Sequence, residues 1–434
     1  MKEIRTRTAP SPTGLAHVGN VYAALFNFAF ARKSKGTFIL RIENTDVERF
    51  VVSAEEVIID ALNWLGLKYN EGPDIGGKYG PYRQSERIDF YNKYSQQLVD
   101  QKMAYESEGA LWFKVPKGKT HWCDLIRDKI EFDNSEIKDF VIRRSNGFPS
   151  YNFAVVIDDW LMKISHVIRA EEHISNTPRQ IMLYRALGAE VPEFAHLPLL
   201  RNPDHSKISK RRNPVAISWY QDHGYLPEAL INFLCLLGWS HPEGKDVFPI
   251  EEFIKNFSFE RISKSAPIFD FKKLNWLNGL YIRQKTDEDL FKLLKPFVPK
   301  EMEDDLVKKT IPLVKDRLTI LSDYFSLVDF FIKEPEIDKK LLFKKTAQDI
   351  KLIKEQFNIV LEKIDENKKW QVKVLEKTFR EIAVDKNYHL GKFFMAVRIA
   401  LTGKIATPPL FETIEVLGKE KTLQRIKKAI SLLS

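Results

Sequence analysis

A chain of 434 residues with 44% hydrophobic and 12% aromatic content has ample apolar material for two or three packed domains, which excludes wholesale disorder. Its formal net charge of +9 favours a polyanionic partner, although a basic surface serving only solubility has the same composition. Two distant cysteines, Cys123 and Cys235, exclude a disulfide framework and a cysteine-rich zinc site and fit a reducing compartment. The start "MKEIRTRTAP" has neither a signal core nor an amphipathic presequence, and no apolar run is long enough to span a bilayer. The expectation is a cytoplasmic protein without membrane contact.

Residues 3–9, "EIRTRTA", form a short strand followed by the loop "APSPTGLAHVGN". "NVYAALFNFAFARKSKG" then has apolar residues at helical spacing, basic residues in its last turn and Gly36 as a stop. "TFILRIE" is a strand with Phe38, Leu40 and Ile42 on one face. Strand, loop, helix and strand make a βαβ unit, which binds ligands at the carboxyl ends of its strands. "SAEEVIIDALNWLGL" is a second helix, with Ser53 and Glu56 spaced as a capping box.

From Tyr105 to Phe148 the helical pattern gives way to strand-like pieces, "ALWFKVP" and "KDFVIRR", inserted between two halves of one domain. The α/β pattern resumes at "SYNFAVVIDDW" and "ISHVIRAEE". "TPRQIMLYRALG" is a helix with Thr177 as N-cap and Pro178 at its first position. The strand "EFAHLPLL" leads into "RNPDHSKISKRRNP". From residue 310 the chain is Lys-, Glu- and Leu-rich with helical spacing.

A loop feeding a helix directs backbone N–H groups and the positive dipole end at a ligand, and Gly14 and Gly19 allow close approach. His17 and Asn20 can donate to phosphate oxygens there. Small residues in such a turn also serve packing, so the loop alone does not decide. Lys207 and Lys210 in "KISKR" flank Ser209 and can converge on a triphosphate. Taken alone, that run is a solvated basic loop. The two stretches on one α/β scaffold are far more specific than either.

At these residues the sequence resembles the class I aminoacyl-tRNA synthetases, and within them the bacterial-type glutamyl-tRNA synthetases (glutamate–tRNA ligases). "HVGN" and "KISKR" match the family's two signature motifs. "RTAPSPTG", "RIENTD", "GPYRQSER", "SYNFAVVIDDW", "VIRAEEHISNTPRQ", "LPLLRN", "LPEALINFLCLLGW" and "ALTGK" follow in family order across nearly the whole chain. The resemblance implies a Rossmann-like α/β catalytic domain with an all-α anticodon-binding region. The implied division is 1–104 and 149–240 for the catalytic halves and 105–148 for a shortened connective (acceptor-end) insertion. Residues 241–309 become a stem-contact region and 310–434 the helical anticodon-binding region.

The implied reaction joins L-glutamate to tRNA(Glu) through a glutamyl-adenylate formed from ATP with Mg2+. The resemblance places ATP on His17, Gly19, Asn20, Glu172, Lys207, Ser209 and Lys210, with His17, Lys207 and Lys210 catalytic. It places glutamate on Arg7, Ser11, Glu43, Tyr151 and Arg169. The chemistry of the arginines agrees, because a guanidinium pairs with a carboxylate through two parallel hydrogen bonds and disfavours a neutral amide. Salt bridging for the arginines and core packing for Tyr151 are their structural alternatives. Val155 stands where some relatives carry asparagine and receives no role. Arg317 falls near the position that reads the last anticodon base. A monomer is expected, without structural zinc. Two further readings stay open: a non-discriminating enzyme that also charges tRNA(Gln), and a non-catalytic tRNA-binding paralogue.

Overall fold

The computed structural model describes residues 3–433 except 13, 46–52, 207, 209–213 and 368. The chain forms two compact units, residues 1–277 and 278–434.

In the first unit, β1 (Arg5–Thr8) lies parallel to β2 (Thr37–Leu40), with Arg7 opposite Ile39. Between them runs α1 (Val18–Lys33), whose ten buried residues are spread around its circumference, as expected of a helix packed on several sides. It leaves through Ser34 and Lys35, and Lys35 takes the left-handed conformation (φ 51°). Gly36 therefore serves close approach rather than backbone reversal. A Cβ there would stand 2.2 Å from the Ile4 carbonyl oxygen. The second strand stops at Leu40, short of the expected Ile42, which instead makes an isolated bridge with Arg83.

Helices α2 (Ala54–Trp64) and α3 (Ile88–Asp100) follow. Ser53 does sit at the N-cap of α2 but in helical geometry, and its side chain caps nothing, so the expected capping box is absent. Strands β3 (Ala104–Ser107), β4 (Ala110–Phe113) and β7 (Phe140–Arg143) form one antiparallel sheet. The intervening hairpin, β5 (Lys119–Asp124) and β6 (Asp128–Asp133), belongs to a different sheet, ordered β6-β5-β9-β8. There β8 (His166–Ala170) and β9 (Glu193–Leu197) are parallel, with Arg169 opposite His196. Ser165 ties β8 to β1: its N–H donates to the Arg5 carbonyl (3.0 Å) and its Oγ accepts from the Arg5 N–H (2.8 Å). These parallel strands with their crossover helices make the unit Rossmann-like.

The crossovers include α4 (Tyr151–Leu161) and α5 (Thr177–Ala186). Asn176, not Thr177, occupies the N-cap position of α5 and makes no side-chain cap bond, while the Thr177 hydroxyl meets Arg169 in the site described below. Helices α6 (Ile217–Asp222), α7 (Pro227–Gly238) and α8 (Ile250–Asn256) complete the unit, and α9 (Phe271–Gln284) carries the chain into the second.

The second unit is all helix among the described residues. It contains α10 (Asp287–Leu294), α11 (Asp304–Val314), α12 (Asp323–Val328), α13 (Lys339–Thr346), α14 (Ile350–Asp365), α15 (Val372–Asp385), α16 (Leu390–Thr402), α17 (Leu410–Leu417) and α18 (Lys419–Leu432). Thr286, Asp338 and Asp349 cap α10, α13 and α14 with their side-chain oxygens. No helix among the described residues is long and apolar enough to cross a membrane.

Gly36→Ala should destabilise the first unit by about 1–3 kcal/mol, because β1 has to move away from the added methyl. Urea unfolding monitored by tryptophan fluorescence measures the loss.

Candidate active site

Two adjacent acids end the buried face of α4. Asp158 and Asp159 are fully buried, which is expensive unless cations meet them. Arg87, at the start of α3, brings Nε to 2.5 Å from Asp158, and Gln84 and Tyr91 add hydrogen bonds at 2.9 Å. Asp159 accepts from Arg7 Nε (3.1 Å) and from Arg41 Nη1 (2.6 Å). Burial opposes ionisation of Asp159, but Arg7 and Arg41 outweigh it and hold its pKa below the usual carboxylate value. Arg41 continues to Glu43 through Nη2 at 2.9 Å. Glu43 responds the other way, its pKa raised by burial despite Arg41 and Arg7.

Through Arg7 and Glu43 this network reaches the wall of a cavity of about 120 Å3 at the carboxyl ends of β1 and β8. Arg7, Gly19, Asn20, Glu43, Tyr151, Arg169 and Glu172 all line it, so seven of the expected residues converge. Arg169 is the decisive one. It is buried, donates from Nε to His196 Nε2 (3.3 Å) and from Nη2 to Thr177 Oγ1 (2.8 Å), and leaves Nη1 without a hydrogen-bond partner. A buried guanidinium with a vacant donor wants an acceptor from outside the protein. Tyr151 packs beside His173, with its hydroxyl 3.3 Å from Nδ1. Burial and the charge of Arg169 hold the His173 pKa down at about 4, so at neutral pH its ring is uncharged.

His17 borders an adjoining recess with Asn20, Thr8 and Pro10. It is the N-cap of α1, and its Nδ1 accepts the Gly19 N–H at 3.0 Å. The neutral ring therefore carries its proton on Nε2, as a donor. Ser11 is exposed and not among the residues lining either cavity. Val155 is buried in α4 and lines neither.

Lys207, Ser209 and Lys210 lie outside the described residues. The chain leaving their loop is fixed, however. Val18 N–H donates to the Val215 carbonyl (2.7 Å) and Ile217 N–H to the Ala16 carbonyl (3.0 Å). The "HVGN" turn and the end of the "KISKR" loop are thus laced together by backbone hydrogen bonds. In the helical unit, Arg317 is exposed at the end of a 3-10 turn after α11, and its positive charge, secondary to burial, lowers the pKa of Arg398 on α16.

Sequence reasoning missed Arg41, Asp159, His196 and Asp124. The one visible signal was a pair of acids in an otherwise apolar helical run, which forecasts buried countercharges without naming them.

A Rossmann-like domain with these two laced loops, followed by a helical unit, defines a class I aminoacyl-tRNA synthetase. The family model "tRNA synthetases class I (E and Q), catalytic domain" matches residues 3–110 and 106–276, and "Anticodon binding domain" matches 289–430. The glutamate–tRNA ligase of Thermus thermophilus is 40% identical over 98% of this chain and 99% of its own. Glutamate–tRNA ligase 1 of Fervidobacterium nodosum is 40% identical with the same coverage. The crystal structure of a glutamate tRNA ligase from Elizabethkingia meningosepticum, in complex with its amino acid, superposes over all of both chains with a TM-score of 0.89 at 33% identity. The chain belongs to the bacterial-type glutamate–tRNA ligase family. It catalyses ATP-dependent attachment of glutamate to tRNA(Glu) through a glutamyl-adenylate, which sets aside the non-catalytic reading.

Asp159→Asn should cost about 3–5 kcal/mol of stability, since Arg7 and Arg41 lose their shared countercharge in a buried site. Thermal denaturation of the variant against the parent checks this.

Proposed function

We propose that the cavity beneath Tyr151 is the glutamate site, an assignment carried by the vacant Nη1 donor of Arg169. Arg169 and Arg7 receive the substrate side-chain carboxylate, and Glu43 receives the ammonium. The raised pKa of Glu43 supports this, because an arriving cation supplies the countercharge that its burial demands. Tyr151 closes the wall, and Ser11 reaches the site only if its loop closes over bound substrate. An amide in place of the carboxylate would set N–H donors against the guanidinium, which discriminates against glutamine.

ATP binds at the start of α1. His17 Nε2–H and Asn20 donate to it, Gly19 allows the phosphates near the backbone, and Glu172 takes the ribose. Mg2+ arrives with the nucleotide. The glutamate α-carboxylate attacks the α-phosphate, and Lys207 and Lys210, with Ser209, hold the departing pyrophosphate. The 2′-hydroxyl of the terminal adenosine then accepts the glutamyl group. Residues 105–148 contact the acceptor end, 241–309 the stem and 310–434 the anticodon. The enzyme works as a monomer in the cytoplasm, without structural zinc.

Lys210 acts when negative charge builds on the leaving group. Lys210→Ala should lower tRNA-dependent ATP–pyrophosphate exchange about a hundred- to a thousandfold. Its tRNA affinity should stay near that of the parent, since binding rests on many dispersed contacts. Equal exchange rates in a folded variant would remove Lys210 from the reaction.

Exposed Arg317, near Arg398, gives the helical unit a concentration of positive charge suited to reading a base edge. We assign it a preference for tRNA(Glu) over tRNA(Gln) worth about 1–3 kcal/mol. Arg317→Gln should narrow the ratio of the two charging rates accordingly. An unchanged ratio would overturn the assignment of Arg317, and equal charging of both tRNAs by the parent would mark a non-discriminating enzyme.

A further inference from the structure

Arg169 does not stand alone in its strand pair. Directly opposite it in the parallel register of β8 and β9 is His196, whose side chain is completely buried. One ring nitrogen faces the guanidinium: Arg169 Nε is 3.3 Å from Nε2. The other, Nδ1, is 2.5 Å from Asp124 Oδ2 on β5. Arginine Nε can only donate, so Nε2 has to be bare and the ring proton sits on Nδ1, donated to Asp124.

The aspartate is itself fixed. Its Oδ1 accepts the backbone N–H groups of Ile126 and Arg127, both at 3.1 Å, and of His196 at 3.2 Å. Burial opposes its ionisation, yet the His196 and backbone hydrogen bonds prevail and hold its pKa below the ordinary value. The groups facing His196 are Arg169 from β8, Asp124 from β5, Arg127 from the turn after β5, His173 from the turn before α5 and the Thr177 hydroxyl from α5. Arg127 donates Nε to the His196 carbonyl (3.3 Å) and pairs with Glu171 (2.5 Å). Burial first, then the charge of Arg169, outweighs Asp124 and lowers the His196 pKa, so the imidazole is neutral.

Thr177 completes the geometry. Its Oγ1 accepts from Arg169 Nη2 and lies 3.2 Å from the His173 carbonyl. Two of the three guanidinium nitrogens are therefore held by the protein, and only Nη1 is left to the cavity.

We propose that His196, locked in one tautomer by Asp124, is a positioning residue that orients Arg169 toward the glutamate carboxylate. This rests on the assignment of Arg169 to glutamate made above. It also gives the β5–β6 hairpin a second task. That hairpin lies in the segment joining the catalytic halves, and through Asp124 it sets the aim of the amino-acid pocket. A residue acting this way should change glutamate recognition without changing ATP recognition.

The test compares full-length His196→Leu, His196→Gln, Asp124→Asn, Arg169→Ala and the double variant Arg169→Ala/His196→Leu. Glutamate KM and ATP KM are measured in tRNA charging, with Tm recorded for each. H196L leaves a buried N–H unanswered and should raise glutamate KM about ten- to a hundredfold, with ATP KM within about twofold. H196Q keeps an acceptor for Arg169 and should recover much of that loss. In D124N the amide donates to Nδ1, moving the ring proton to Nε2 against the Arg169 N–H, so glutamate KM should rise in the same way. The 15N resonances of His196 should exchange their protonated and bare signatures. Because His196 works through Arg169, H196L should add little in the double variant.

If folded H196L and D124N keep the parent's glutamate KM while R169A raises it, the positioning role is overturned and the glutamate site stands. If R169A leaves glutamate KM unchanged, the assignment of Arg169 falls and the proposal falls with it. Parallel losses in Tm and in both KM values, or full additivity in the double variant, would reduce His196 to a structural residue.

Discussion

Two carboxylates buried side by side on α4 dictate how the catalytic sheet comes together. Asp158 and Asp159 sit in the last turns of their helix, where the dipole's negative end adds to their mutual repulsion and to the loss of water. Only convergent cations make that tolerable. Arg87 arrives from α3, Arg7 from β1 and Arg41 from just beyond β2. The acids thereby draw the first βαβ unit and the later crossover helix to a common point. Arg7 and Glu43 carry that network on to the wall of the cavity at the strand ends. Arg7 is consequently both a structural partner of Asp159 and a lining residue of the cavity, so salt bridging and the substrate role proposed for it are compatible uses of one guanidinium.

Much of the first unit was legible because its local signals agree with its tertiary fate. The strand–"HVGN"–helix–strand order, the apolar α1 and the returning strand need only periodicity and turn chemistry to be read. Arg169 and Glu43 were reached through the family resemblance and through the chemistry that a carboxylate and an ammonium demand. What stayed hidden depends on distant partners. Nothing in "KTHWCD" says that its aspartate meets a histidine 72 residues later, and nothing in "RTRT" says which arginine pairs with Glu71 and which with Asp159. Local rules also failed where tertiary demands override them. Ser53 has the right spacing for a capping box but not the extended backbone a cap needs. Thr177 is the first residue inside its helix rather than the cap, and its oxygen serves a buried guanidinium instead. Gly36 looked like a helix stop, yet the pressure on it is steric contact with Ile4, and a lysine takes the reversed backbone.

The "HVGN" turn is joined by backbone hydrogen bonds to the chain that follows the distant "KISKR" motif. Ala16 and Val18 pair with Ile217 and Val215, so the loop bearing "KISKR" is anchored where it rejoins the fold. The His17 ring is held by the very helix terminus it caps, which pre-sets the Nε2–H donor that the proposed ATP site would use.

If Arg169 binds glutamate as proposed, specificity for an acid over its amide follows from how many donors the protein itself consumes. A guanidinium free at every nitrogen could turn to meet the carbonyl of glutamine and would discriminate weakly. Arg169 has no such freedom, because His196 and Thr177 occupy Nε and Nη2. The Nη1 donor then points in one direction, and only an acceptor satisfies it. An amide can offer its oxygen there, but its N–H2 then lies toward Arg7, whose charge is partly spent on Asp159 and which cannot accept a hydrogen bond. A carboxylate answers both arginines with oxygen. In the proposed site, glutamine would therefore be rejected by an unpaired buried donor rather than by a steric block. Such a penalty survives small changes in cavity volume as long as the two guanidiniums keep their orientation.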